Sequence, residues 1–182
     1  MISANDADMT EILFYHLQGQ PLERVLPTLL EKSLERGWRV VVQAASEERV
    51  EAIDAHLWTF RDDSFLPHGT WREVEALDAH LWIFRDDSFL PHGTWREAEA
   101  AEQPVLLTVH DSNPNGAAVR FLVDGAPVPV DAAGYERIVL LVDGNDPDAV
   151  AAARERWSEG KAKGFEVTYW QADENGRWQR KG

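Results

Sequence analysis

Arg154, Trp157 and Lys161 stand at i, i+3 and i+7 of segment 146–171, DPDAVAAARERWSEGKAKGFEVTYWQ. On a helix those positions share a face. A ring between two cations can hold a short acidic peptide with an apolar end, because the charges pair with carboxylates and the ring offers apolar area. The local sequence supports a helix: Asp146 suits the N-cap, Pro147 the first helical position and Gly164 the residue past the end. FEVTYW (165–170) reads as the strand that follows. The same spacing fits a plainer role, in which Trp157 continues the apolar stripe of 150–153 into the core and the cations form its solvated rim.

Other residues capable of chemistry assemble less well. Four of the six histidines, His56, His68, His80 and His92, lie near the acidic pairs Asp62, Asp63 and Asp86, Asp87. Their spacing of 12 within each pair matches no zinc pattern, and no metal is expected. Leu57 and Trp58 read instead as a helix end, and Pro67, His68 and Gly69 as a turn. No GxGxxG, GxxxxGK[ST] or GxSxG is present and there is no cysteine. Dinucleotide, P-loop and these covalent routes therefore lack a signature, and no cofactor is expected. His16, His110 and Asp143 fall at or near strand ends, where an α/β enzyme keeps ligands and acid–base groups, but no spacing ties them together.

Charge narrows the choice of partner. The chain carries −14, yet residues 150–182 hold seven Lys or Arg against five acids, so the remainder carries −16. A broad phosphate footprint needs clustered cations, which argues against duplex nucleic acid and against direct single-strand binding through the tryptophans. A local basic pocket on an acidic body suits a short acidic partner.

The elements that must position this pocket alternate. ILFYHL (12–17) reads as a buried strand, and 21–36 as a helix closed by Gly37, with Pro27 inside it. RVVVQ (39–43) is the next strand, and Ser46 caps a helix to about Trp58. Strands return at 105–110, 119–123 and 138–142, before the 146–164 helix and its strand; 174–182 reads as a frayed tail. This order predicts an α/β fold: a three-layer α/β/α sandwich around a largely parallel sheet, Rossmann-like without a phosphate-binding loop. At 182 residues one domain is expected over 9–182, preceded by a disordered extension, 1–8. The absence of cysteine, of a signal-like leader and of any long apolar run points to the cytoplasm and to no membrane.

The middle of the chain is a tandem repeat. Residues 50–73 and 74–97 differ at two of 24 positions, Ile53/Leu77 and Thr59/Ile83. Two copies are too few for a solenoid. One is expected to be the fold's own helix and loop and the other a surplus insertion; continuity with Ser46 on one side and Pro104 on the other leaves the choice open, and the second copy is expected in the native loop position.

ARERWSEGKAKGFEVTYW (153–170), with LW and SFLPH five residues apart in both copies, resembles the chi subunit family of bacterial DNA polymerase III, most closely its shorter alphaproteobacterial forms. The resemblance covers Thr10 to about Gln171, apart from one repeat copy. It implies a non-catalytic accessory protein of the clamp-loader assembly, with an α/β/α sandwich similar to nucleotide-binding folds. It further implies binding of the acidic C-terminal tail of single-stranded DNA-binding protein, contact with DNA only indirectly, and in some bacteria a second partner, psi. The family's tail site uses an Arg, an aromatic residue, a Lys and another basic residue, which fall on Arg154, Trp157, Ser158 and Lys161. Ser158 departs from the pattern.

Overall fold

The computed structural model describes residues 10–60, 68–70, 98–173 and 177–181. The expected extension 1–8 and the second repeat copy lie outside them. The strands are β1 (Glu11–Leu17), β2 (Val40–Gln43), β3 (His68–Thr70), β4 (Val105–Thr108), β5 (Val119–Leu122), β6 (Arg137–Asp143), β7 (Glu166–Ala172) and β8 (Trp178–Arg180). The helices are α1 (Leu22–Glu35), α2 (Glu47–Thr59), α3 (Ala98–Glu102) and α4 (Pro147–Ala162). The strands form one sheet in the order β3-β4-β2-β5-β6-β1-β7-β8, parallel except for β8. The α/β fold expected from the alternation is the one observed.

From β1 the chain moves one way along the sheet to β2, and from β6 the other way to β7. Right-handed crossovers then require α1 and α4 on opposite faces. The core divides accordingly. Leu26 and Leu30 of α1 and Ile53 and Leu57 of α2 pack with Leu13, Val40, Val42 and Val139 on one face. On the other face Trp157 and Ala153 of α4 pack against Ile12, Phe14, Ile138 and Val167. The four residues of β2, β4 and β5 are all buried, as a strand covered on both faces must be.

Pro27 neither ends nor divides α1, which runs through it. A proline has no N–H to offer the carbonyl four residues back, that of Glu23. His56 of α2 supplies the missing donor: its Nε2 donates to Glu23 O at 2.7 Å. The helix defect thus becomes a contact between helices.

α2 and β3 are formed by residues of the first repeat copy. The second copy, expected in the native place, lies outside the described residues; the residues flanking the first copy hold α2 where it is. Ser46 caps α2 by accepting from Arg49 N, while the Arg49 guanidinium bridges Glu23 at 3.0 Å and Asp124. The residue corresponding to Arg49 before the second copy is Glu73, an acid where two acids must be met. His68 is also not in a turn. It opens β3, buried, with Nε2 3.2 Å from Asp54 Oδ1 of α2. His56 and His68 are thus engaged in contacts between elements; His80, His92 and the acidic pairs Asp62, Asp63 and Asp86, Asp87 lie outside the described residues.

The tail expected to fray instead pairs. β8 lies antiparallel to β7, with Trp178 edge-on to Tyr15 at 4.8 Å and 75°. Asp173 holds the hairpin ends, accepting from Arg177 N at 2.9 Å.

Deleting 74–97 or 50–73 gives chains that both keep Ser46 and Arg49 and differ only by Ile/Leu at a buried position and Thr/Ile at an exposed one. Both are expected to unfold cooperatively in urea, within about 1.5 kcal/mol of each other. Failure of both to fold would show that two copies are required. His56→Ala is expected to cost about 1–2 kcal/mol by orphaning the Glu23 carbonyl. In a Pro27→Ala background, where that carbonyl regains its helical donor, the same change should cost clearly less; equal costs would dismiss the compensation.

Candidate functional site

The long helix α4 is fixed at both ends by its sequence. Asp146 Oδ1 accepts from Asp148 N at 2.9 Å, and Pro147 needs no donor at the first position. At the far end Gly164, at φ +83°, donates to Lys161 O, and Phe165 N reaches Gly160 O at 3.1 Å. This pair of bonds turns the chain directly into β7.

Between its ends the helix sits low on the sheet. Gly160 is its one buried residue, and a Cβ there would lie 3.2 Å from Val167 Cγ2 and 3.5 Å from Ile12 Cδ1. One turn earlier the Trp157 ring stacks on Phe14, with centroids 6.3 Å apart and planes at 23°. Trp157 is therefore half-buried: one part belongs to the core and the rest is open. Lys161 Nζ lies 4.0 Å from the ring centroid, a cation–π contact. Arg154 and Lys161 are exposed, and among the described residues neither is in an ion pair. Arg156, by contrast, is committed to Gly125 O and Ala126 O at 2.8 and 3.1 Å. Ser158 donates to Arg154 O at 3.1 Å, within the helix. The structure thus gathers Arg154, Trp157 and Lys161 about one half-open ring, with Ser158 exposed beside them.

Two neighbours join this face: Tyr169, which the sequence did not single out, and His16, which it offered only in the rival grouping. Tyr169 is the register partner of Phe14 and hydrogen-bonds His16 Nδ1 through its hydroxyl. The His16 ring lies over Gly144, where a Cβ would come within 2.1 Å of Nε2. Burial and then the positive charge of Arg154 hold His16 below the usual imidazole range, partly opposed by Asp143. Burial raises the Tyr169 phenol, opposed by Arg154. The alternation of β7 could have placed Tyr169 on the helix side. Its register with Phe14 required the fold.

The rival grouping of His16, His110 and Asp143 does not assemble. His16 and Asp143 lie on adjacent strands, but His110 follows β4, with β2, β5 and β6 between. At about 4.8 Å per strand that is roughly 19 Å. The crevice at the carboxyl ends of β1 and β6, where doubly wound folds bind ligands, measures about 450 Å³. Glu23, Asp124 and Asp143 line it with Arg49, whose charge the first two already share. Such a lining repels phosphate.

The class defined so far is a doubly wound α/β domain with an acidic switch-point crevice and an open cationic–aromatic helix face. The family described as DNA polymerase III chi subunit, HolC, matches residues 9–76 and 70–168, so the chain belongs to that family of polymerase accessory subunits. The chain is similar to a probable DNA polymerase III subunit chi of Rickettsia prowazekii (strain Madrid E). That similarity is 22% identity over 153 residues, covering 79% of this chain and 76% of the relative. A DNA polymerase III subunit chi of Pseudomonas aeruginosa is 35% identical over 63 residues, 33% of this chain and 44% of that protein. Among the described residues no helix is long and apolar enough to cross a membrane.

The electrostatics of the pocket can be read from His16 by NMR titration. Its midpoint should lie below the ordinary imidazole value, rise in Arg154→Ala and fall further in Asp143→Asn. Because the folded value is depressed, the unfolded chain binds the proton first. The His16 contribution to stability is therefore present at neutral pH and lost as pH falls through the window between the ordinary and the folded value. An Arg154→Ala titration that superimposes on wild type would show that the guanidinium does not face this pocket.

Proposed function

We propose that the protein binds the acidic C-terminal tail of single-stranded DNA-binding protein and links it to the replicase, as a cytoplasmic accessory subunit with no chemistry of its own. The observation that carries this reading is the half-open Trp157 ring, with Lys161 over it and Arg154 one turn away, in a chain of net charge −14. In so acidic a protein, two exposed cations at one ring that meet no carboxylate among the described residues form a site that an acidic peptide completes. Arg154 and Lys161 pair with its aspartates and terminal carboxylate, and Trp157 walls the place of an apolar C-terminal side chain. The acidic remainder discourages contact elsewhere. Contact with a psi-like subunit and with the clamp loader belongs to the same proposal and rests on family membership, while DNA is reached only through the bound protein.

The test is titration calorimetry with a peptide of several aspartates ending in Pro-Phe. Binding on the order of micromolar, about −8 kcal/mol, is expected, weakening as added salt shortens the screening length. Arg154→Ala and Lys161→Ala should each weaken it, Trp157→Ala should weaken it most, and Ser158→Lys should tighten it by adding a cation. Since Trp157 also stacks on Phe14, thermal melts accompany that variant. If Arg154→Ala and Lys161→Ala both bind like wild type, the helix face is not the site.

A further inference from the structure

The family match stops at residue 168, but the chain does not. The remainder folds into the β7–β8 hairpin, which carries Arg177, Arg180 and Lys181. Strand alternation sorts these side chains between the two faces of the sheet. Trp178 lies on the α1 face, edge-on to Tyr15, and Arg180 shares that face, 3.8 Å from Glu166. Gln179 and Lys181 therefore take the α4 face. Lys181 continues the pairing past β8, its N donating to Tyr169 O at 2.8 Å. Its exposed ammonium lies 3.3 Å from Gln179 Oε1, and among the described residues it meets no carboxylate. Tyr169 thus has Lys181 on one side and, on the other, Trp157 and Arg154 of α4, all against one apolar cluster or beside it.

We infer that the hairpin is the second wall of the acidic-peptide site, and that Lys181 supplies across the groove the cation that Ser158 does not supply on the helix. Tyr169, its hydroxyl held by His16, is the floor between the walls. The inference rests on the reading of the helix face given above and adds to it a direction: the peptide lies between α4 and the hairpin rather than along α4 alone. The occupant is acidic because three cations that meet no carboxylate among the described residues flank this aromatic face, in a chain with 32 acids against 18 basic residues.

The test uses the full chain and the same synthetic acidic peptide ending in Pro-Phe. Lys181→Ala is expected to weaken binding about fivefold at low salt, the order of one well-placed exposed pair. Lys181→Arg should keep wild-type affinity, and Ser158→Lys should restore most of the affinity in the Lys181→Ala background. Lys32→Ala, an exposed charge on α1 at the opposite face, controls for net charge alone and should change binding less than about twofold. All these positions are exposed, and melting temperatures check that each variant folds. Equal effects of Lys181→Ala and Lys32→Ala, with Arg154→Ala still weakening binding, would overturn the second wall and leave the helix site standing. If Arg154→Ala and Lys161→Ala also bind like wild type, the helix site falls with it.

Discussion

Everything on the outer surface of α4 depends on how closely its inner surface meets the sheet. Gly160 sets that approach, since a Cβ there would crowd Val167 at 3.2 Å and touch Ile12 at 3.5 Å. A mid-helix glycine costs up to about 1 kcal/mol relative to alanine, and the sequence bears this cost where the helix lies lowest. Because the helix is low, Trp157 reaches Phe14 and is held by stacking along one side only. A higher helix would bury the ring fully beneath itself or swing it free into water. Neither gives a rigid, half-exposed ring with a cation above it, and a rigid ring loses little entropy when a ligand arrives.

Among the described residues the remainder of that sheet face is covered by the short helix α3 and by loops, and buried loops leave carbonyls without donors. Arg120, fully buried in β5, answers several at once, reaching Gln43 Oε1, Tyr135 Oη and the carbonyls of His110, Asp111 and Ser112. Only a guanidinium offers five donors in a fixed fork. These contacts fix His110 through its backbone carbonyl, far from His16. The fold keeps the layered plan of nucleotide-binding proteins while its loops and its acidic crevice serve other ends.

Legibility followed how local each cause is. The strands and helices with their own caps and periodicity (β1, α1, β2, α2, β5, β6, α4 and β7) could be read directly, because each carries its signal within its own residues. β3 and β8 could not. Three residues are too few for an alternation to show, and each strand exists because of a distant partner: Asp54 for His68, and Tyr15 for Trp178. Pro27 lies inside an unbroken helix, and the donor it cannot offer comes from His56, on another helix, which no local pattern states. For the repeat, two nearly identical copies could not rank themselves. What anchors the start of α2 is Arg49, outside both copies, through partners on α1 and after β5. On the candidate site, helical spacing put Arg154, Trp157 and Lys161 on one face, but the floor and far wall belong to strands whose register no local pattern states.

The charge distribution distinguishes the carboxyl ends of the strands from the α4 face. At the carboxyl ends of the strands, Arg49 is saturated by Glu23 and Asp124, so positive charge is spent internally and the crevice stays acidic. On the α4 face, Arg154 and Lys161 are not so spent, and the one helix cation that is, Arg156, bonds neutral carbonyls instead of an acid. Exposed ion pairs contribute little to stability, of order 0–1 kcal/mol each, so leaving these cations unpaired costs the fold almost nothing. It does preserve their full charge for an incoming carboxylate. In a chain of net charge −14, with cations that meet no carboxylate among the described residues at one half-open aromatic ring, an acidic partner would be selected by where it is not repelled as much as by where it is held.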